Sequence, residues 1–422
     1  MSTFLHQLAS AYRKGAPAGI YSVCSAHPWV LEAAMRSARK GEGPLLIEAT
    51  CNQVNQFGGY TGMKPGDFRQ HVLAIAQKIG FPAEQILLGG DHLGPHPWRH
   101  LPAAEAMRNA VEMVQLYVKE GFTKIHLDAS MACAGDPHVL PDETIAARAV
   151  ELCRAAESSR KMALSYVIGT EVPTPGGSVE SEEKVSVTTT DAAEQAISAH
   201  RKAFAAAGLD EAWNDVIALV VQPGVEFADN HVVDYNLAKA RHLAGVLKQH
   251  PQFIFEAHST DYQRPLAYRE LVRDGFSILK VGPALTYAMR QALFALARME
   301  MECIPYDEQS NLMQVVEDAM LKRPGDWKSH YHGEPNHQRL LRKYSYSDRI
   351  RYYWLVPEVK TAVDRLILNM SRQSLDEILL SEFLPAQYEK VRGGAIKPET
   401  MPVLLDKIED ALAPYQAACA KQ

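Results

Sequence analysis

The chain is short of the features that mark several large protein classes. Its 422 residues include only six cysteines, at positions 24, 51, 133, 153, 303 and 419, and no Cys-x-x-Cys pair. That scatter argues against a disulfide framework or a structural zinc knot, and makes the cytoplasm the expected compartment. Long apolar runs are missing too. The strongest, 216–221, is far below the ~18–20 residues of a membrane helix, so no membrane association is expected. Residues 1–15 carry His6, Tyr12, Arg13 and Lys14 among their apolar positions. They read as a short amphipathic helix, not as a signal peptide. There is no excess of positive charge: 44 Lys+Arg stand against 50 Asp+Glu, a net charge of −6. A nucleic-acid binder would carry a basic balance or stripe, so that class is excluded from the expectation. No Gly-x-Gly-x-x-Gly follows a strand, which speaks against NAD. No Gly-x-x-x-x-Gly-Lys-Ser/Thr loop is present to hold ATP, and no Gly-x-Ser-x-Gly elbow to present a nucleophile.

What is present is a rhythm. With 47% hydrophobic and 22% charged residues the composition is globular, and the length suits one barrel plus an extension. Short aliphatic runs occur at 18–24, 44–50, 85–90, 122–128, 163–171, 216–222, 253–258 and 276–282. Each has the length of a strand buried on both faces. Helical spacing fills the gaps, as at 67–79, 103–120, 144–156, 191–207 and 236–249. Eight strand–helix alternations predict an α/β fold, a parallel (β/α)8 TIM barrel over residues 1–300. An open doubly wound sheet is the competitor. The barrel is favoured because nearly every run ends in a polar or reactive residue, and a barrel gathers strand C-termini into one mouth. The remaining stretch, 301–422, reads as a helical extension packed on the barrel, punctuated by Pro305, Pro324, Pro335, Pro357 and Pro385.

The run ends nominate the chemistry. Gly89-Gly90-Asp91-His92-Leu93-Gly94-Pro95 offers an Asp-His pair between glycines, which let backbone pass close to a ligand. Glu256-Ala257-His258 places two groups two residues apart, hence on one side of a strand. His92 and His258 with Glu171 or Gln222 make a divalent-cation site with open positions. Zinc is the first expectation, with manganese, magnesium or nickel as alternatives. Glu171, before Pro173 and Gly176-Gly177, reads as a ligand-shaped loop or a rigid turn. Ser259, Thr260, Gly282 and Lys280 suit a phosphate, because such barrels often bind it after strands 7 and 8. Lys280 could also form a Schiff base or a structural ion pair. Glu48 ends the second run. The amides Asn52, Gln53, Asn55 and Gln56 that follow fit polyol hydroxyls or an ordinary loop. Of His126 and Asp128, the Asp is the better catalytic candidate, since a lone strand His is often a core residue. His27 lies near the end of the first run. Arg349 and Arg351 could reach a phosphate, but the same stretch reads as a capped helix start.

These stretches, with Ser22 to Pro28, Asn52 to Met63, His126 to Met131, Ser165 to Pro173, Val221 to Phe227, Leu279 to Thr286 and Ser347 to Trp354, resemble the tagatose-bisphosphate aldolase non-catalytic-subunit family (GatZ/KbaZ type) along nearly the whole chain. That family is similar to zinc-dependent class II aldolases. The resemblance implies Asp91 as acid/base, His92 and His258 as metal ligands, and Glu171 with its Gly-Gly loop. Where those aldolases have a third metal-binding His after the sixth strand, this chain has Gln222. Some members of the family look like accessory subunits of a class II aldolase catalytic chain. Others look like 4-epimerases that interconvert tagatose 6-phosphate and fructose 6-phosphate. The expected substrate is thus a phosphorylated ketohexose. A homo-oligomer is also expected.

Carbon 4 of a 2-ketose is not next to the carbonyl and is not acidic. Inverting it without a nicotinamide requires cleavage and re-formation of the carbon 3–carbon 4 bond. That is aldolase chemistry: a divalent metal polarises the carbonyl and Asp91 or Asp128 takes the carbon 4 hydroxyl proton.

Overall fold

The computed structural model of the protein describes residues 4–41, 43–170 and 185–420. Strands form where the aliphatic runs lie: β1 (Ile20–Val23), β2 (Leu45–Thr50), β3 (Ile86–Leu93), β4 (Lys124–Leu127), β5 (Ser165–Ile168), β6 (Val216–Val220), β7 (Ile254–Ala257) and β8 (Ile278–Val281). Neighbours pair in parallel in chain order, and β8 returns to β1 to close a (β/α)8 barrel. The closing register sets Ser22 beside Lys280. An open sheet would have left two edges, so the competitor is excluded.

Helices return the chain between strands, among them Pro28–Ala38, Pro65–Ile79, Ala103–Lys119, Asp142–Ser158, Thr190–Ala206 and Pro265–Arg273. Their ends follow local chemistry. Thr189 caps the fifth of these through the amide of Ala192, and Gly80 ends the second in the left-handed conformation that glycine tolerates. The single helix expected at 236–249 is instead two short pieces, Leu237–Ala240 and Ala244–Gln249. Gly245 lowers helix propensity there. Ala240 and Leu243, on either side of the break, are both buried.

Inside the barrel, side chains alternate along each strand, so residues i, i+2 and i+4 form successive layers. The lowest layer is apolar: Ile20, Leu46, Ile254 and Ile278 cluster with Leu5, Leu8 and Ala9 of the N-terminal helix Phe4–Arg13. Two residues further along sit Ser22, Glu48, Glu256 and Lys280. Lys124 joins them from β4, and all five are buried. His126 and His258 lie two residues beyond that, toward the mouth.

Beyond the last strand, the helix Pro283–Cys303 leads into further helices, including Leu312–Lys322, Pro335–Tyr344, Pro357–Met370, Pro385–Arg392 and Thr400–Cys419. Each of the five punctuating prolines stands at or just before a helical start, where its missing N–H costs nothing. Thr400–Cys419 packs against Pro28–Ala38, Pro265–Arg273 and Pro283–Cys303. Its Tyr415 hydroxyl donates to the carbonyl of Thr260 (2.9 Å), tying the chain's end to the barrel mouth. Among the described residues, no helix is long and apolar enough to cross a membrane.

Candidate active site

The layer of five is an ion lattice. Lys124 Nζ lies 2.8 Å from Glu48 Oε1 and 2.6 Å from Glu256 Oε2. Lys280 Nζ lies 2.9 Å from Glu48 Oε2, 3.0 Å from Asp91 Oδ2 and 3.7 Å from Glu256 Oε1. Ser22 adds a hydrogen bond to Glu48 (2.7 Å). Buried charges persist only when paired this closely. Burial alone would lower the pKa of Lys280, but Asp91, Cys24, Glu48 and Glu256 outweigh it and hold the ammonium well above its usual range. Burial would likewise raise Glu256, but Lys124, Lys280 and His258 keep it ionised well below the carboxylate range. A lysine so firmly protonated is a poor amine nucleophile, so the lattice favours the ion-pair reading of Lys280 over the Schiff base.

Above the lattice three histidines meet. The ring of His92 is 4.8 Å from that of His258 and 5.2 Å from that of His126, and His126 is 5.4 Å from His258, centre to centre. Each has a carboxylate partner. His92 Nδ1 donates to Asp128 Oδ2 (2.8 Å), His126 Nδ1 to Asp91 Oδ1 (3.0 Å), and His258 Nε2 to Glu256 Oε1 (2.9 Å). Asp128 is itself fixed by the amide (3.1 Å) and hydroxyl (2.6 Å) of Ser130. Burial opposes ionisation of Asp91, but His92, Lys280 and His126 together hold it well below its usual range. Burial drives His258 down to about 4, so its imidazole is neutral near pH 7. Burial also lowers His92, but Asp91 and Asp128 reverse the sign and raise it. His92 adopts φ = +50°, a left-handed conformation that a non-glycine residue holds only when its surroundings enforce it.

The donor set fits a divalent cation. One ligand atom each from Asp91, His126, Glu256 and His258 lies within 4.8 Å of all the others. A bound ion with ligand bonds of about 2.0–2.2 Å would draw such atoms to about 3–4 Å apart, a small contraction. His126 Nε2 is buried without a hydrogen-bond partner, and its Nδ1 is already spent on a carboxylate. That is how a histidine ligand is oriented by its supporting carboxylate.

The set differs from the one expected from sequence. His258 belongs to it, but His126 and Glu256 replace Gln222. The Gln222 side chain instead accepts the amides of Gly224 (2.9 Å) and Val225 (3.1 Å), closing its own turn. His92 adjoins the four without joining them, its Nε2 being 3.7 Å from Asp91 Oδ2. Glu171 and its Gly-Gly loop lie outside the described residues. His126 was discounted as a core residue. Its two-residue spacing from Asp128 allows both to face the mouth, but nothing in the run itself separates an inward ligand from a core histidine. The glycines of the Asp-His motif also serve packing more than ligand access. A Cβ on Gly89 would stand 2.7 Å from Glu48, one on Gly90 2.5 Å from Leu93, and one on Gly94 1.5 Å from the carbonyl oxygen of Asp128.

A cavity of about 380 Å³ opens over this floor, within the size range of small-molecule sites. Asp91, His92, His258, Ser259, Lys280 and Gly282 line it from the barrel. Asn52 and Gln53 line it from the loop after β2. Asn55 and Gln56 do not: Asn55 bonds Cys51, Phe57 and Gly59 within the loop, and Gln56 bonds the carbonyl of Asn109. Glu48 and Asp128 sit behind the wall. Thr260 turns its hydroxyl to the carbonyl of Lys280 (2.5 Å). His27 lines the cavity while its Nδ1 caps Pro28–Ala38 through the amide of Trp29, and burial pushes it down to about 3. From the extension, Arg351 lines the cavity with Tyr352 and Trp354. Arg349 does not line it; its Nε bonds the carbonyl of Asp326 and its guanidinium lies over the Tyr352 ring.

One whole-chain comparison agrees with this architecture. A crystal structure of a probable tagatose 6 phosphate kinase from Sinorhizobium meliloti 1021 is 50% identical, with a TM-score of 0.89 over 95% of this chain and 100% of that one. A glycerol-complexed fructuronate-tagaturonate epimerase from Cohnella laeviribosi is 11% identical, with a TM-score of 0.49 over 96% of this chain and 82% of that one. A fructose-bisphosphate aldolase from Campylobacter jejuni is 13% identical, with a TM-score of 0.44 over 90% and 93%. Residues 5–420 match the family model for D-tagatose-1,6-bisphosphate aldolase subunit GatZ/KbaZ-like proteins, and the chain belongs to that family.

Proposed function

We propose that this chain is a metal-dependent ketose-phosphate enzyme that interconverts D-tagatose 6-phosphate and fructose 6-phosphate at carbon 4 by retro-aldol and aldol steps. The observation that carries this reading is the convergence of His126, His258, Glu256 and Asp91, with Asp91 and His258 lining a ligand-sized cavity, His126 and Glu256 buried behind them, and His126 Nε2 unpartnered. A divalent ion held by His126, His258 and Glu256, zinc in the first instance, would polarise the ketose carbonyl and stabilise the enediolate. Asp91 lines the cavity and is ionised, so its carboxylate accepts the carbon 4 hydroxyl proton as the carbon–carbon bond breaks. Lys280 neutralises Asp91 and holds it in place. Asp128 acts behind it, fixing the ring of His92. The aldehyde fragment turns within the cavity, and re-addition to its other face gives the epimer, Asp91 returning the proton.

The second reading is an accessory subunit that stabilises a class II tagatose-bisphosphate aldolase, and the family match favours it. The deciding experiment follows tagatose 6-phosphate by ¹³C NMR with the purified chain and added Zn²⁺, Mn²⁺ or Mg²⁺, beside EDTA-treated and His258→Ala controls. Metal-dependent appearance of fructose 6-phosphate supports the epimerase. Silence with every metal, on folded protein, leaves the accessory subunit. Release of triose phosphates would mean aldolase activity proper.

A further inference from the structure

The phosphate end of the substrate has two places to go in this cavity. The first is the start of the helix Pro283–Cys303, whose amides face the mouth. Those amides are taken. Asp261 Oδ1 accepts from Gly282 N (3.0 Å) and Ala284 N (2.8 Å). A phosphate placed there would have to displace a buried carboxylate that already satisfies both donors. The second is the wall supplied by the extension. Among the described residues lining the cavity, the permanent cations are Lys280 and Arg351, and Lys280 is bound into the ion lattice.

Arg351 is held where it stands by a chain of contacts. The Asp348 carboxylate accepts from the hydroxyl of Thr286 (2.6 Å), a cavity residue, and lies 3.6 Å from Arg290 Nε. Asp348 sits at φ = +42°, a left-handed non-glycine residue fixed by those partners. The Tyr262 hydroxyl, from the loop after β7, donates to the carbonyl of Tyr346 (2.6 Å), and its ring packs on that of Tyr346 (5.0 Å). The turn is therefore pinned to the barrel mouth on both sides of Ser347. From it, Arg351 Nη2 donates to the Tyr352 hydroxyl oxygen (2.8 Å). Having accepted that bond, the Tyr352 hydroxyl keeps its own hydrogen to donate. The ring of Tyr60, from the loop after β2, meets that of Tyr352 edge to face at 4.9 Å. Both tyrosines line the cavity. Arg351 Nη1 donates to the carbonyls of Ser347 and, at 3.2 Å, Asp348, so what the guanidinium brings to the cavity wall is a fixed positive charge beside the Tyr352 hydroxyl hydrogen, a combination that suits a phosphate dianion.

We infer that Arg351, with Tyr352 and Tyr60, binds the phosphate of the ketose, and that the extension thereby sets the preference for phosphorylated over free sugar. The inference rests on the ketose-phosphate reading given above. It places the phosphate at the extension and the reacting carbons at the barrel floor.

The test measures binding without turnover. Fructose 6-phosphate and fructose are titrated by calorimetry onto the full-length wild type, Arg351→Gln and Tyr352→Phe, each metal-loaded. The expected result is a loss of fructose 6-phosphate affinity of about 10- to 100-fold in Arg351→Gln and a smaller loss in Tyr352→Phe, with fructose bound equally by all three. Arg351→Lys, which keeps the charge but not the fork, should fall between, and it decides the matter with Tyr352→Phe if Arg351→Gln does not fold. Unchanged fructose 6-phosphate affinity in the folded variants overturns the inference. So does an equal loss for both sugars. The two proposals fail separately. Phosphate-dependent binding through Arg351 without epimerisation sinks only the epimerase. Epimerisation by Arg351→Gln with an unaltered KM sinks only the phosphate site.

Discussion

Replacing His126 by alanine removes a nitrogen that no other residue at the floor can supply. The expected outcome is a chain that folds but no longer retains a stoichiometric divalent ion after gel filtration, read by elemental analysis. Replacing Asp91 by asparagine keeps a hydrogen-bonding partner for His126 and should weaken metal retention by about 10- to 100-fold, the usual cost of disturbing a ligand's support. Lys124→Met leaves Glu48 and Glu256 short of a counter-ion in a layer that rests on apolar side chains. Breaking such a buried pair costs about 3–5 kcal/mol, so the melting temperature should fall clearly. Asp261 gives a pH signature. Burial raises its pKa from the ordinary 3.8 to about 6, against the pull of the Ala284 and Gly282 amides and of Arg351. Its folded pKa is the higher one. The associated stability is thus complete below about pH 4 and is lost as the pH rises through 6, a change of ~3 kcal/mol for full titration. Asp261→Asn keeps an acceptor for both amides but does not titrate. Its stability relative to wild type should therefore grow between pH 4 and 7, measured as the difference in melting temperature at each pH. These residues were unequally legible. Asp91 and His258 stood in motifs with glycine or carboxylate neighbours. His126 stood in an apolar run, where a sequence cannot distinguish an inward ligand from a packed core histidine. Asp261 was hidden because only the fold brings it to the helix start at Gly282.

The elements were the most readable level, because a strand buried on both faces leaves the same aliphatic run whatever surrounds it. β6, Val-Ile-Ala-Leu-Val, is buried throughout. The prolines of the extension marked helix starts for a steric reason that holds everywhere. The helix break at 241–243 was not readable, because the helical spacing of the apolar residues runs on through it. β3 shows how tightly its element is specified. Its Gly89 and Gly90 leave room for Glu48 and for Leu93 with Tyr117, and Gly94 just beyond it touches the backbone of Asp128. Gly94→Ala should be the most damaging of the three, since backbone cannot yield as a side chain can. We expect insoluble protein or a loss at the upper end of overpacking, about 3 kcal/mol or more, read by soluble yield and thermal melting.

At the scale of the molecule, barrel and extension share their essential surfaces. Tyr415 anchors Thr260, Gln416 bonds Ser37, and Thr286 holds Asp348. A chain ending before Thr400 would expose the apolar faces of Pro28–Ala38 and Pro283–Cys303. It should aggregate or elute as a polydisperse species on size exclusion, whereas two independent units would leave the barrel soluble. The lowest interior layer carries a different consequence. Leu5, Leu8 and Ala9 stopper the barrel beneath its ring of charges. The interior is accordingly a blind well and not a conduit. Whatever enters at the mouth must leave by the way it arrived.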